Sequence, residues 1–285
     1  MRWQKTKSSF ILFAYDTNTF YQGKDQNKLQ NIIYTDLLHY HDWFCANKLS
    51  LNVTKTNYIV FGHLSKHWNQ TIKFNNTIIE RVHETKFLGV FIDSNLSWSN
   101  HIDSICSKIS KSIAVLSRLK HILPRKILRS IYQTLILPHL TYCCSIWSSA
   151  SKTALSKLTV LQKRAIRHIC FANYQDSSSK LFSSLQLLKL PDLIHINLVS
   201  IIYQAEANTL PNSLSTIFTT NNKMHSHNTR HSSHIHCPPC RTNLIRQNTF
   251  NRAIDSWNLW PTSVKDCHSL PAFRKTIQHN CLQTY

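Results

Sequence analysis

Glycine is nearly absent: only Gly23, Gly62 and Gly89 occur in 285 residues, each isolated. A phosphate-cradling P-loop or a dinucleotide fingerprint needs clustered glycines so that backbone can approach the ligand closely, and both are excluded. The G-x-S-x-G nucleophile elbow is missing for the same reason. Acid is scarce too, with 13 Asp plus Glu against 33 Lys plus Arg and a formal net charge of +20 before the 17 His are counted. No apolar run approaches the ~18 residues of a membrane span. The basic start Met1-Arg2-Trp3-Gln4-Lys5 is followed by an apolar stretch, Phe10 to Ala14, too short for a signal core. The nine Cys are an odd number and fall mostly among helical apolar positions, which suits reduced thiols better than a disulfide framework. The chain is therefore expected inside the cell, in nucleus or cytoplasm, and not secreted. The sequons at Asn52, Asn69, Asn75 and Asn95 are read as incidental.

The positive charge points to a polyanionic partner, because each neutralised phosphate releases condensed counterions. A membrane surface is the weaker alternative, since the basic residues run along the whole chain and flank no apolar anchor. An apolar share of 42% is that of a globular protein.

Residues 9 to 22 read as two strands, with Asp16-Thr17-Asn18 as the turn between them. An amphipathic helix follows, carrying Leu29, Ile32, Ile33, Leu37 and Phe44 on one face and Lys28, Asp36 and Asp42 off it. Strands are expected at Tyr58–Phe61, around Ile72–Phe74 and over Lys86–Ile92, completing one small sheet. From about residue 96 the pattern is helical. One stripe runs Ile102, Ile105, Cys106, Ile109, Ile113, Leu116 and Leu119, with Lys108, Lys111, Arg118 and Lys120 off it. Pro124 opens a second helix with Ile127, Ile131, Leu135 and Ile136 inward. A third stripe is Leu155, Leu158, Leu161, Ala165, Ile166 and Ile169, carrying Lys157, Lys163, Arg164 and Arg167 on its other faces. A fourth apolar stretch spans Leu193 to Ala205. Residues 208–245 are polar and rich in His, Ser and Asn, reading as a linker, and 246–285 as a terminal helical segment.

Chemistry has few candidates. In Phe13-Ala14-Tyr15-Asp16-Thr17-Asn18 one carboxylate occupies a hairpin of the kind that, with a neighbouring Asp, holds Mg²⁺ in two-metal enzymes. Taken alone it is read as a structural turn. Cys237-Pro238-Pro239-Cys240 has the spacing of half a zinc knuckle, beside His225, His227, His231, His234 and His236. A structural zinc needs a second ligand pair, and His231 with His234 lie too close for an ordinary loop, so zinc is the lesser reading. A Cys–His hydrolase dyad has neither a marked nucleophile nor an oxyanion hole. Trp98 and Tyr142 could stack on bases, but core packing is the simpler assignment for both.

Several linked segments are more specific. They are Phe13 to Asp16, Trp43 to Tyr58, Lys86 to Trp98, Leu137-Pro138-His139-Leu140-Thr141-Tyr142, Leu161 to Arg167, His227-Asn228-Thr229-Arg230, Trp257-Asn258-Leu259-Trp260-Pro261 and Ser269-Leu270-Pro271-Ala272-Phe273. In this order and spacing the chain resembles the C-terminal part of the reverse transcriptases of non-LTR retrotransposons, in particular jockey-like elements. The resemblance implies an α+β fold: a partial polymerase palm over residues 1–95, with a small antiparallel sheet and helix. A mostly helical thumb and connection region would follow over 96–207, then the linker and the C-terminal segment. It implies that Asp16 is the second Asp of the Phe-Ala-Asp-Asp turn, with Tyr15 in place of the first. Lys55 would match a candidate general acid for the leaving pyrophosphate, although an exposed strand-edge lysine is the bland alternative. Phe87-Leu88-Gly89 would match the hairpin that grips the primer end.

The fingers and the palm strand bearing another Asp would lie upstream of Met1. A phenol with pKa near ~10 is a poor metal ligand at neutral pH, so only a residual Mg²⁺ site at Asp16 is expected. The implied partners are RNA and DNA as template and primer, contacted by Lys108, Lys111, Arg118, Lys120, Lys163, Arg164 and Arg167. The expected function is that of an RNA-directed DNA polymerase fragment, inactive by itself, with residual nucleic-acid binding. A non-catalytic binding or interaction module and an unstable translated relic are the alternatives.

Overall fold

The structure, a computed structural model, describes residues 9–13, 16–62, 64–224 and 231–285. The chain divides between Ser97 and Trp98 into two compact units.

In the first unit, β1 (Ser9–Phe13) and β2 (Asp16–Phe20) pair antiparallel with Phe13 opposite Asp16. Asp16-Thr17-Asn18 is thus strand, where the sequence suggested the turn: the ladder runs right up to Asp16. Ala14 and Tyr15 lie outside the described residues. Helix α1 (Gln26–Ala46) starts at Asp25, whose carboxylate accepts from the N–H groups of Asn27 at 2.9 Å and Lys28 at 3.2 Å. It buries Leu29 and Ile33 against Trp68, Ile72, Phe74 and Ile79. Asp36, expected off this face, is buried as well. It stands three residues beyond Ile33 on the same helical stripe, close enough to Tyr21 for its charge to act on that phenol.

The remaining elements of this unit are short: a 3₁₀ turn at Val53–Lys55, β3 (Asn57–Tyr58), α2 (Leu64–His67), β4 (Lys73–Phe74), β5 (Thr77–Ile78), β6 (Glu80–Arg81), β7 (Glu84–Phe87) and β8 (Val90–Asp93). Strands β4 and β5 pair antiparallel, as do β7 and β8, while β3 and β6 pair parallel. The single antiparallel sheet expected from sequence is therefore replaced, among the described residues, by four two-stranded pairings. The strand expected over Tyr58–Phe61 pairs only at Asn57–Tyr58. Side chains satisfy carbonyls of the segment between β3 and β4: Arg81 donates to Trp68 O at 3.0 Å and to Ser65 O, and the Tyr58 hydroxyl donates to Gln70 O at 3.1 Å. The stretch read as one strand over Lys86–Ile92 is a hairpin. Leu88 (φ 45°) and Gly89 (φ 85°) both take positive φ, the backbone that a two-residue turn between twisted strands requires.

The second unit is helical: α3 (Ser99–Leu119), α4 (Arg125–Leu135), α5 (Leu137–Thr141), α6 (Cys144–Trp147), α7 (Lys152–Cys170), α8 (Ser178–Leu185), α9 (Leu190–Glu206), α10 (Asn212–Ser215), α11 (Asn221–Met224), α12 (Asn243–Arg246), α13 (Thr249–Asn258), α14 (Thr262–Lys265) and α15 (Leu270–Gln283). The apolar stripes of α3 and α7 face each other as their 3.6-residue period predicts, burying Ile102, Ile105, Ile109, Ile113 and Leu116 on one and Leu158, Ala165, Ile166 and Ile169 on the other. Helix α9 is apolar nearly all round and packs on α13, α15, α6, α5 and α7, which places it at the centre. No single helix among the described residues is long and apolar enough to cross a membrane.

Helix α4 is turned by about one residue from expectation. Leu128, Tyr132 and Ile136 are buried, while Ile127 and Leu135 face outward. Tyr132 is drawn inward by a polar partner on α7, the carboxamide of Gln162, which is itself fully buried. Within 208–245, Ile235 is buried and its backbone N–H and C=O are both bonded by the Asn258 side chain, at 3.1 and 2.9 Å.

Candidate nucleic-acid interface

From Ser99 to Cys170 the chain carries twelve basic residues (Lys108, Lys111, Arg118, Lys120, Arg125, Lys126, Arg129, Lys152, Lys157, Lys163, Arg164 and Arg167) and one acid, Asp103. Because the apolar stripes of α3 and α7 are consumed by packing, the cations are forced to the outer faces. Lys108, Lys111, Arg118 and Arg164 are exposed, and Lys120, Lys163 and Arg167 are half-buried. Lys157 reaches Asp103 at 2.7 Å, so the single acid of this span is already engaged.

Burial, then the charge of Lys108, holds His101 and His139 below the ordinary histidine range. Burial, then Lys120 and Arg164, does the same to His168. Eight of these cations, Lys157 among them, are the ones the helical pattern singles out. Arg125, Lys126 and Arg129 on α4 join them in sequence, and the near-total lack of acid over this span was the signal that could have found them. Tyr142, assigned to the core from sequence, is 53% exposed, whereas Trp98 is buried. The Tyr142 ring projects outward because its backbone carbonyl, not its side chain, serves the core: it accepts the indole N–H of Trp147 at 2.8 Å.

Asp16 is exposed on β2, and Lys55 is exposed at the end of the 3₁₀ turn, its backbone N–H held by the Asn52 side chain at 3.3 Å. No hydrogen bond or ion pair joins the two. Mg²⁺ takes several oxygen ligands in near-octahedral array, and among the described residues no three His, Cys, Asp or Glu are grouped to hold a metal. Phe87, Leu88 and Gly89 do come together, at the β7–β8 turn, with Phe87 opposite Val90. Of the possible zinc ligands, His225 and His227 lie outside the described residues. The Cys240 thiol donates to Pro238 O at 3.3 Å and accepts from Asn251 at 3.2 Å.

Comparison with known proteins gives the arrangement a context. Over 180 residues, 61% of the chain, it is 27% identical to an RNA-directed DNA polymerase from mobile element jockey of Drosophila funebris. Over 194 residues, 66% of the chain, it is 23% identical to a probable RNA-directed DNA polymerase from transposon X-element of Drosophila melanogaster. The chain is related to the RNA-directed DNA polymerases of non-LTR retrotransposons. The jockey polymerase of Drosophila melanogaster is a further such relative, 28% identical over 50% of the chain. The matched stretches span about a fifth of these relatives, 19% and 21% of the first two. No family profile matches the chain, and no solved structure does.

Proposed function

We propose that this chain is a reverse-transcriptase-derived fragment that binds nucleic acid through the outer faces of α3, α4 and α7 and does not synthesise DNA by itself. The observation that carries the binding is the charge pattern of Ser99–Cys170, twelve cations to one acid, on helices whose apolar faces are already buried. Phosphate backbones are the polyanions that repay such an array, by counterion release. The polymerase relatives make a template–primer the natural occupant, with the first unit corresponding to part of a palm and α3 to α9 to a thumb. In that frame Phe87-Leu88-Gly89 is the primer-contacting turn, and Lys55 is the counterpart of the palm-motif lysine.

Loss of synthesis follows from the metal chemistry. Stabilising charge on a transferring phosphoryl group takes ions held by several carboxylates, and Tyr15 stands where one of them belongs. Binding is tested with RNA, duplex DNA and an RNA–DNA hybrid over a salt series. Affinity that falls linearly in a log–log plot is expected, and no binding at ~50 mM salt overturns the reading.

A further inference from the structure

The C-terminal end of α7 carries two aromatic rings that no packing requirement explains. Phe171 is 57% exposed and Tyr174 88% exposed. They stand three residues apart in a turn that is built rather than loose. Phe171 takes the left-handed conformation (φ 56°) and ends the helix, with Ala172 N–H returning to Arg167 O at 3.0 Å. Asn173 N–H donates to the Asp176 carboxylate at 2.6 Å, and Asp176 N–H donates to Asn173 O at 3.2 Å. Arg167 closes the turn from the helix side, donating to Asp176 O at 3.2 Å while its guanidinium carbon lies 5.4 Å from the Tyr174 ring centroid. One face of that ring is held by a cation. The exposure leaves the other to solvent.

The surroundings are cationic. Lys120 at the end of α3 and Arg164 both act on His168, one turn of helix before the aromatic turn. Arg125 acts on Cys170, the residue next to Phe171. The one acid in the turn, Asp176, is occupied by Asn173 N–H. Phosphate-binding cations and a pinned, open aromatic face thus share one end of the helical unit. A double helix could use only the cations, since its base faces are stacked within it. An unpaired strand offers a phosphate and a bare base face together, and base–aromatic stacking tolerates any sequence because every base has a π-face.

We propose that the Phe171–Asp176 turn is a base-stacking platform for an unpaired nucleic-acid strand, with the Tyr174 ring as the stacking surface and Arg164, Arg167 and Lys120 on the adjoining phosphates. This deepens, and rests on, the nucleic-acid reading above. The shared ligand chemistry is an unstacked base beside a phosphodiester, which RNA and DNA both supply.

The test uses the full chain in fluorescence-anisotropy titrations at ~50 mM salt. The probes are oligothymidylate, oligouridylate, an abasic phosphodiester of equal length and a DNA duplex. Tyr174→Ala is expected to weaken both unpaired oligomers at least about five-fold, the lower end of what one lost base–aromatic stack produces. It should leave the abasic strand and the duplex unchanged, and Tyr174→Phe should bind as the parent does. A thermal melt of each variant separates loss of stacking from loss of fold. Unchanged affinity of Tyr174→Ala for the unpaired strands, or an equal loss on the abasic strand and duplex, overturns the platform while leaving the charge reading intact. Failure of the parent chain to bind any of the four removes both.

Discussion

The Gln162 carboxamide donates to the Tyr132 hydroxyl at 2.9 Å, joining α7 to α4 inside the helical unit. The same amide nitrogen donates to Leu188 O at 2.9 Å, and its oxygen accepts from Leu190 N–H at 2.8 Å, so one polar side chain also serves the entry to α9. Burial pushes the Tyr132 phenol up to about 12, with Gln162 opposing by its hydrogen bond. A buried network of this kind stabilises only while every member is satisfied.

Gln162→Leu, which keeps the volume, strands a carbonyl, an amide and a hydroxyl at once. The expected loss is at least about 3 kcal/mol, since each buried group left unsatisfied costs about 1–3 kcal/mol. Tyr132→Phe removes a group whose partner keeps its other bonds, and should cost about 1 kcal/mol. Urea unfolding of the two variants measures the difference, and equal losses would contradict the network.

Acid should destabilise the fold earlier than carboxylate titration alone predicts. His101, His139, His168 and His195 are all held below their ordinary value, chiefly by burial. Between the depressed folded values and the unfolded value of 6.5 the unfolded chain binds more protons, so stability rises with pH there. It is complete above that value and is lost as pH falls through it. Melting temperatures at about pH 7.5 and pH 5.5 should therefore differ, with the lower at acid pH; a flat profile contradicts the burial of these rings.

Replacing Lys108, Lys111 and Arg118 together with Ala should weaken binding to every nucleic-acid form alike. It should also make the log–log salt dependence shallower, by about 0.7 to 0.9 for each phosphate contact removed. All three lie on the exposed faces of α3, away from its buried stripe, so the melt should hardly move. An unchanged salt slope would show that this part of α3 does not meet the ligand.

Primer extension with Mg²⁺ and dNTPs should give no product from the parent chain or from Tyr15→Asp. Among the described residues no three His, Cys, Asp or Glu are grouped to hold a metal, so one carboxylate restored beside Asp16 is expected to fall short of a two-metal set. Any synthesis that disappears in Asp16→Ala would overturn the assignment.

The charge imbalance, the lack of glycine clusters and the ordered series of linked motifs are properties of the chain itself, and they sufficed to recognise its relatives. The stripes of α3 and α7 were legible for a similar reason: apolar residues recur there at a period with one consistent face. That is why Lys108, Lys111, Arg118 and Arg164 could be placed outside before any coordinates. Helix α4 shows where periodicity stops. Ile127-Leu128 and Leu135-Ile136 offer an apolar residue on either side of the boundary, so two rotations satisfy the pattern equally. Tertiary structure chose between them by pairing Tyr132 with Gln162, and hydrogen-bond partners distant in sequence leave no periodic trace. Burial of Asp36, the split of one expected strand into the Leu88–Gly89 hairpin, and the pinned, open ring of Tyr174 were decided in the same way. Each depends on a neighbour that only the folded chain brings within reach.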